Sequence, residues 1–131
     1  MNVELNHTIV WCQDKQKSSA FLVDVLGLEQ PVPFGPMLVV ALGNDVSLDF
    51  YESEGKIAMQ HYAFLVSDDE EFERVFARIR QRDIRYWADP GRTRETELYE
   101  HNGGRGLYFQ DPDGHLLEVM TRPYDLKAGH S

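Results

Sequence analysis

Two histidines and two carboxylates recur at matched offsets in this chain. His7 and His61 stand 54 residues apart, and Asp49 and Glu118 stand 69 apart. Imidazole nitrogens and carboxylate oxygens are ligands that first-row divalent ions accept. A set of two His and one carboxylate leaves coordination positions open for a substrate. His7, His61 and Glu118 are therefore the expected metal ligands. Asp49 would bring the ligand charge to two, balancing a 2+ ion. Its arm is one methylene shorter, so it stays open between a fourth ligand and a buried acid hydrogen-bonded to a neighbour.

The elements that must position these groups repeat as well. Residues 5–12 form an apolar, β-branched run and predict a strand that carries His7. Asp14 offers an N-cap, Phe21, Leu22, Val25 and Leu26 make one helical stripe over 15–26, and Gly27 stops the helix. From His61 the same order returns. Residues 61–67 predict a strand, and Ser67 or Asp68 can cap a helix running to about Arg82. Asp69, Glu70 and Glu71 in its first turn complement the helix dipole, and Phe72, Val75, Phe76 and Ile79 form its apolar stripe. A short strand is expected after each helix, near 29–32 and 84–87. Further strands are expected at 36–42 and 45–51, turning at Gly43-Asn44, and at 105–110 and 115–121, turning at Asp111-Pro112-Asp113-Gly114. The reading is α+β: two tandem βαβββ modules in one domain over 1–131. Module one spans about 3–55, module two about 58–121, and 122–131 form a loose tail. Strand alternation puts His7 with Leu5 and Ile9, His61 with Ala63 and Leu65, and Glu118 with Leu116 and Met120. A carboxylate on a buried strand face is costly unless it is paired or bound to metal.

The two offsets differ by about fifteen residues, which locates an insertion in the second module. Residues 89–106 lack apolar periodicity and are glycine-rich. A loop of that length inside a small domain is functional or disordered. Arg92, Arg94, Asn102 and Arg105 are candidate substrate-binding residues there, since guanidinium groups can clamp an anion bidentately. His101 is a candidate acid or base near neutral pH. A solvated surface loop is the competing reading.

Bulk properties narrow the class. The 131 residues make one domain's worth, with 42% hydrophobic residues. The formal net charge of −9 argues against a nucleic-acid or anionic-membrane partner. The single Cys12 excludes an internal disulfide, and it and the two tryptophans read as packing. The chain opens without a signal-peptide pattern and has no membrane-length apolar run, so a cytoplasmic protein is expected.

The stretch Gly106-Leu107-Tyr108-Phe109-Gln110-Asp111-Pro112-Asp113-Gly114-His115-Leu116-Leu117-Glu118-Val119 resembles the C-terminal hairpin of the vicinal oxygen chelate superfamily, which groups glyoxalases, bleomycin resistance proteins and extradiol dioxygenases. Asn6-His7-Thr8 with Phe21-Leu22…Leu26-Gly27-Leu28 resembles its opening, and Gln60-His61-Tyr62-Ala63-Phe64 resembles the start of its second module. The likeness covers about 3–121. It implies a cupped, eight-stranded mixed sheet with a metal in its cavity, and a homodimer. It also implies an enzyme that chelates adjacent oxygens of a small substrate through one divalent ion: Fe2+, Zn2+, Ni2+ or Mn2+.

Reaction type stays open between a lyase or isomerase and a ring-cleaving dioxygenase. A fosfomycin-type thiol transferase and a metal-free bleomycin-type binder are the alternatives. Asp49 stands where glyoxalase-like members carry a glutamate base. Tyr108 matches the tyrosine that dioxygenases and thiol transferases carry before the metal-binding glutamate. Both join His101 as candidate catalytic residues, with packing the competing role for Tyr108. His115 follows the turn glycine and is read as structural.

Overall fold

A computed structural model describes residues 1–126. Of the tail expected at 122–131, residues 127–131 lie outside the described residues. The chain divides into two compact units. One is Met1–Met59 with the turn residues Asp111–Asp113, and the other is Gln60–Gln110 with Gly114 onward.

The first unit runs β1 (His7–Cys12), α1 (Lys15–Leu26), β2 (Val32–Phe34), β3 (Met37–Ala41) and β4 (Ser47–Glu52). Its sheet has the order β1-β4-β3-β2, with β1 parallel to β4 and the other pairs antiparallel. The Asp14 carboxylate caps α1 by accepting from the backbone N–H groups of Gln16 and Lys17, an arrangement worth about 1 kcal/mol. Gly27 ends the helix at φ 69°, in the left-handed region where a glycine carries no Cβ penalty. Leu22, Val23, Val25 and Leu26 of α1 are buried, as are Val10, Cys12, Val40, Leu48 and Phe50 of the sheet.

The second unit runs β5 (His61–Leu65), α2 (Asp69–Gln81), β6 (Tyr86–Trp87), β7 (Tyr99–His101), β8 (Gly104–Gln110) and β9 (Leu116–Met120). Its five-stranded sheet has the order β5-β9-β8-β6, with β7 also paired to β8. Asp68 is the N-cap of α2. Phe72, Val75 and Ile79 of the helix are buried, and so are Leu107, Phe109, Leu117 and Val119 of the strands.

The duplication holds at the level of register. His7 sits opposite Ser47 and Ile9 opposite Asp49; His61 sits opposite Leu116 and Ala63 opposite Glu118. Both pairs of strands therefore repeat at the same offsets of sequence, and Asp49 and Glu118 occupy equivalent backbone positions.

Two expectations need correction. The expected α+β fold is the one observed; among the described residues its strands number nine, in sheets of four and five, one more than the eight expected. The extra strand is β7, inside the insertion. Tyr99, Glu100 and His101 pair with Gly106, Arg105 and Gly104, so backbone hydrogen bonds order a segment that has no side-chain periodicity. Upstream, the Asp89 carboxylate accepts from the backbone N–H groups of Thr93 and Arg94 and from the Thr93 hydroxyl, and Glu95 bonds Arg85 through both oxygens. The three donors hold the Asp89 carboxyl below its usual range, the backbone N–H of Arg94 contributing most.

The second correction concerns the histidine-bearing strand faces. Ile9 and Trp11 next to His7, and Leu65 next to His61, are exposed. In β1 the alternate residues Val10 and Cys12 are the buried ones, so the side carrying His7 stays open.

Cys12 is fully buried, and burial together with the nearby charge of Asp113 pushes its thiol up to about 12. The folded chain therefore keeps a proton that the unfolded chain releases from about pH 9 upward. Stability falls as pH rises from 9 toward 12. At pH 8 the native thiol is expected to resist a disulfide reagent that modifies the urea-unfolded chain within minutes, and Cys12→Ala should flatten the alkaline loss of stability. Rapid modification of the folded protein would contradict the burial.

Candidate metal centre

Glu118 lies at the middle of β9 and is 1% exposed. Its Oε1 is 3.1 Å from Nε2 of His61, the first residue of the neighbouring parallel strand. The other imidazole nitrogen, Nδ1, is 3.0 Å from the Leu116 carbonyl oxygen. A carbonyl only accepts, so Nδ1 carries the hydrogen. In a neutral ring Nε2 then presents a lone pair. That lone pair faces a carboxylate oxygen, and two acceptors at this distance repel unless a proton or a metal cation lies between them. The donor set thus fits a divalent ion, and the Leu116 carbonyl fixes the tautomer as outer partners of metal-bound histidines do. The His61 side chain is 40% exposed, which leaves a side open.

The second oxygen of Glu118 accepts a hydrogen bond of 2.5 Å from the Tyr99 hydroxyl. Tyr108 lies directly opposite Glu118 on β8, and its ring is stacked on His61 with centroids 6.0 Å apart. Burial, and after it the charge of Glu118, raises the Tyr108 phenol to about 12. Burial and the hydrogen bond to Glu118 raise Tyr99 further still. Both hydroxyls are protonated at neutral pH and act as donors. Tyr99, Tyr108, Glu118, His101, Arg122 and Tyr124 are among the residues lining a cavity of about 270 Å³.

His7 and Asp49 belong to the first unit. Together with Ser47, Phe34, Met37 and Val39 they line a pocket of about 430 Å³. Asp49 is 5% exposed and its Oδ1 accepts from the Ser47 hydroxyl at 2.9 Å. His7 is exposed, with Nδ1 2.8 Å from the Asn6 side-chain oxygen. In a neutral ring that contact puts the hydrogen on Nδ1 and the lone pair on Nε2. Among the described residues, no group of three His, Cys, Asp or Glu side chains is gathered as a metal site.

The structure thus brings His61, Glu118, Tyr108 and His101 to one unit, and places His7 with Asp49 in the other. Of the arginines of the insertion, Arg105 lines the second unit's cavity, though its guanidinium is held in ion pairs. Arg92 is exposed, and Arg94 pairs with Glu97 at 3.1 Å. The Arg105 guanidinium crosses to the α2 side, where it bonds Asp69 and Glu73 and covers the Phe72 ring. Strand alternation dictates this, because Arg105 shares its face with Leu107 and Phe109, not with Tyr108. Asn102 offers its backbone carbonyl to Arg122. Of the cavity residues, sequence reasoning does not single out Tyr99, Arg122 or Tyr124: Tyr99 is one polar-loop residue among several, and Arg122 and Tyr124 belong to the segment expected as tail.

The turn motif has a physical role on both sides. Asp111 accepts from the Asp113 N–H, and Asp113 in turn accepts from the Ser18 hydroxyl and the Gln13 N–H at the start of α1. Gly114 has φ 87°, and the fully buried His115 that follows accepts from the Gln60 N–H, one residue before His61. His115→Ala would take the partner from the Gln60 N–H and empty the space of a fully buried ring. A loss of about 2–4 kcal/mol is expected in urea unfolding, and a change under 1 kcal/mol would count against the structural role.

The model of the Glyoxalase/Bleomycin resistance protein/Dioxygenase superfamily matches residues 4–119. The glutathione transferase FosA of Serratia marcescens is 31% identical over 121 residues, covering 88% of this chain and 78% of that one. The solved structure of the oxidase ChaP-H1 is 56% identical with a TM-score of 0.91, covering 94% of this chain and 98% of that one. The fosfomycin resistance protein FosX of Listeria monocytogenes, at 20% identity and TM-score 0.71 over 95% of this chain and 98% of that one, shares the fold. Among the described residues no helix is long and apolar enough to cross a membrane. The chain belongs to the glyoxalase/bleomycin resistance protein/dioxygenase superfamily.

Proposed function

We propose that this chain is a divalent-metal-dependent oxidase that acts on adjacent oxygens of a small, oxygen-rich molecule. One observation carries the reading: the His61 Nε2 lone pair and the Glu118 carboxylate converge at 3.1 Å, each fixed from behind by its own hydrogen bond. His7 is the third ligand in this reading, from the first unit of the same chain or of a second copy in a homodimer. Two His and one carboxylate on one side of an ion leave positions open, the arrangement ferrous oxygenases use. When bound, the ion supplies Lewis acidity toward neighbouring substrate oxygens.

The chain's own groups do the rest. Glu118 is buried, so its charge acts in a medium of low dielectric. Tyr108 holds a proton beside the ligands and can donate it to a substrate oxygen. Asp49 is the candidate base from the other unit, and His101 is an exposed candidate at the cavity's lining. Arg122 and Arg105 both line the same cavity; the Arg105 guanidinium is paired with Asp69 and Glu73, so Arg122 is the better placed to meet an anionic substrate group. Oxidation is favoured over lyase or isomerase chemistry by the 56% identity to a chain named an oxidase.

A thiol transferase is the second reading, favoured by the 31% identity to FosA. Metal analysis of the purified protein, followed by two assays, separates the two. Oxygen uptake by the Fe2+-loaded protein on a catechol or a related hydroxyaromatic would support the oxidase. Addition of glutathione to fosfomycin by the Mn2+-loaded protein, without oxygen uptake, would replace it.

A further inference from the structure

Each unit must satisfy a buried acid at the same backbone position, and the two do it differently. In the first unit Ser47, two residues before Asp49 and on its face, donates a hydroxyl to the carboxylate. The register places Leu116 where Ser47 stands, and leucine has no donor to give. The second unit contains the insertion, and β7 brings Tyr99 to the outer oxygen of Glu118. The neighbouring strand is cut to fit. Tyr99 is paired with Gly106, and a Cβ at Gly106 would collide with the Tyr99 hydroxyl and ring and with the Val119 carbonyl. The Tyr99 ring also packs on Tyr108 at 5.7 Å, which restrains its rotation.

We propose that Tyr99 is the positioning residue of the metal centre: its hydroxyl holds Glu118 Oε2, so that Oε1 alone turns toward His61 and the carboxylate serves as a one-oxygen ligand. The inference rests on the metal reading above. It assigns the insertion a task distinct from substrate binding, since β7 exists to deliver one hydroxyl. Free of that bond, Glu118 can swing both oxygens toward an ion and close a position that a substrate needs.

Tyr99→Phe removes only the hydroxyl. Binding of Co2+ to the full-length wild type, Tyr99→Phe and His61→Ala proteins, measured by calorimetry and by visible absorption, tests the idea without turnover. The metal-free variant is expected to unfold in one cooperative thermal transition. Its Co2+ affinity should fall between about ten- and a hundredfold, the range found for outer partners of metal ligands. Its Co2+ visible bands should weaken as the second carboxylate oxygen raises the coordination number, a signature that a mere loss of packing would not produce. If Tyr99→Phe binds Co2+ with wild-type affinity and spectrum while His61→Ala does not bind it, the positioning role is overturned and the metal reading stands. If the wild type binds no Co2+, both are overturned.

Discussion

Glu118→Gln is expected to abolish tight metal binding while leaving the metal-free fold as stable as before. Loss of an outer partner already costs ten- to a hundredfold in affinity, so loss of a charged ligand should exceed about a hundredfold. The metal-free protein has no reason to suffer. Glutamine keeps the shape, its amide can donate to the His61 Nε2 lone pair, and its carbonyl can accept from the Tyr99 hydroxyl. Two facing acceptors become a donor and an acceptor. Calorimetric titration with Co2+ beside thermal unfolding of the metal-free protein reads the two effects separately. Undiminished affinity would remove Glu118 from the centre. A collapse of the metal-free fold would mean that the carboxylate is a structural group instead.

His7→Ala is expected to cost as much affinity as Glu118→Gln, even though His7 sits in the other unit. In the proposed centre the third ligand comes from the first unit of the same chain or of a second copy. Mixing is the decisive measurement. His7→Ala protein and Glu118→Gln protein, each inactive alone, are unfolded together and refolded. If ligands cross between copies, half of the dimers are mixed, and each mixed dimer rebuilds one of its two sites. About a quarter of wild-type activity then returns. No recovery beyond the two separate variants would place all three ligands in one chain.

The four candidate ligands are legible in the sequence itself. His7, His61, Asp49 and Glu118 stood out because a duplicated unit repeats its register. The register in both sheets agrees with the two offsets. Helices α1 and α2 and the Asp14 cap were legible because capping and amphipathic periodicity are local, and the structure chose Asp68 over Ser67 as the cap of α2. The insertion was legible as an interruption, but its content was not. Tyr99 looked like any polar-loop residue, since β7 is made by backbone pairing to Gly104–Gly106, which leaves no side-chain period. Gly106 opposite an aromatic residue was the one clue available. Arg105 shows both sides: it lines the cavity, while strand parity sends its guanidinium to Asp69 and Glu73.

Sequence alone determined which residue types recur and on which strands they sit, because hydrophobic period, caps and repeat offsets are properties of the chain itself. Only the tertiary structure decided what each group faces. It set the His61 lone pair against Glu118, fixed that imidazole through the Leu116 carbonyl, and brought the Tyr99 hydroxyl to the remaining oxygen. The reason is directional. A hydrogen bond or a metal bond depends on where two atoms point across strands that lie far apart in the chain, and strand pairing sets that direction.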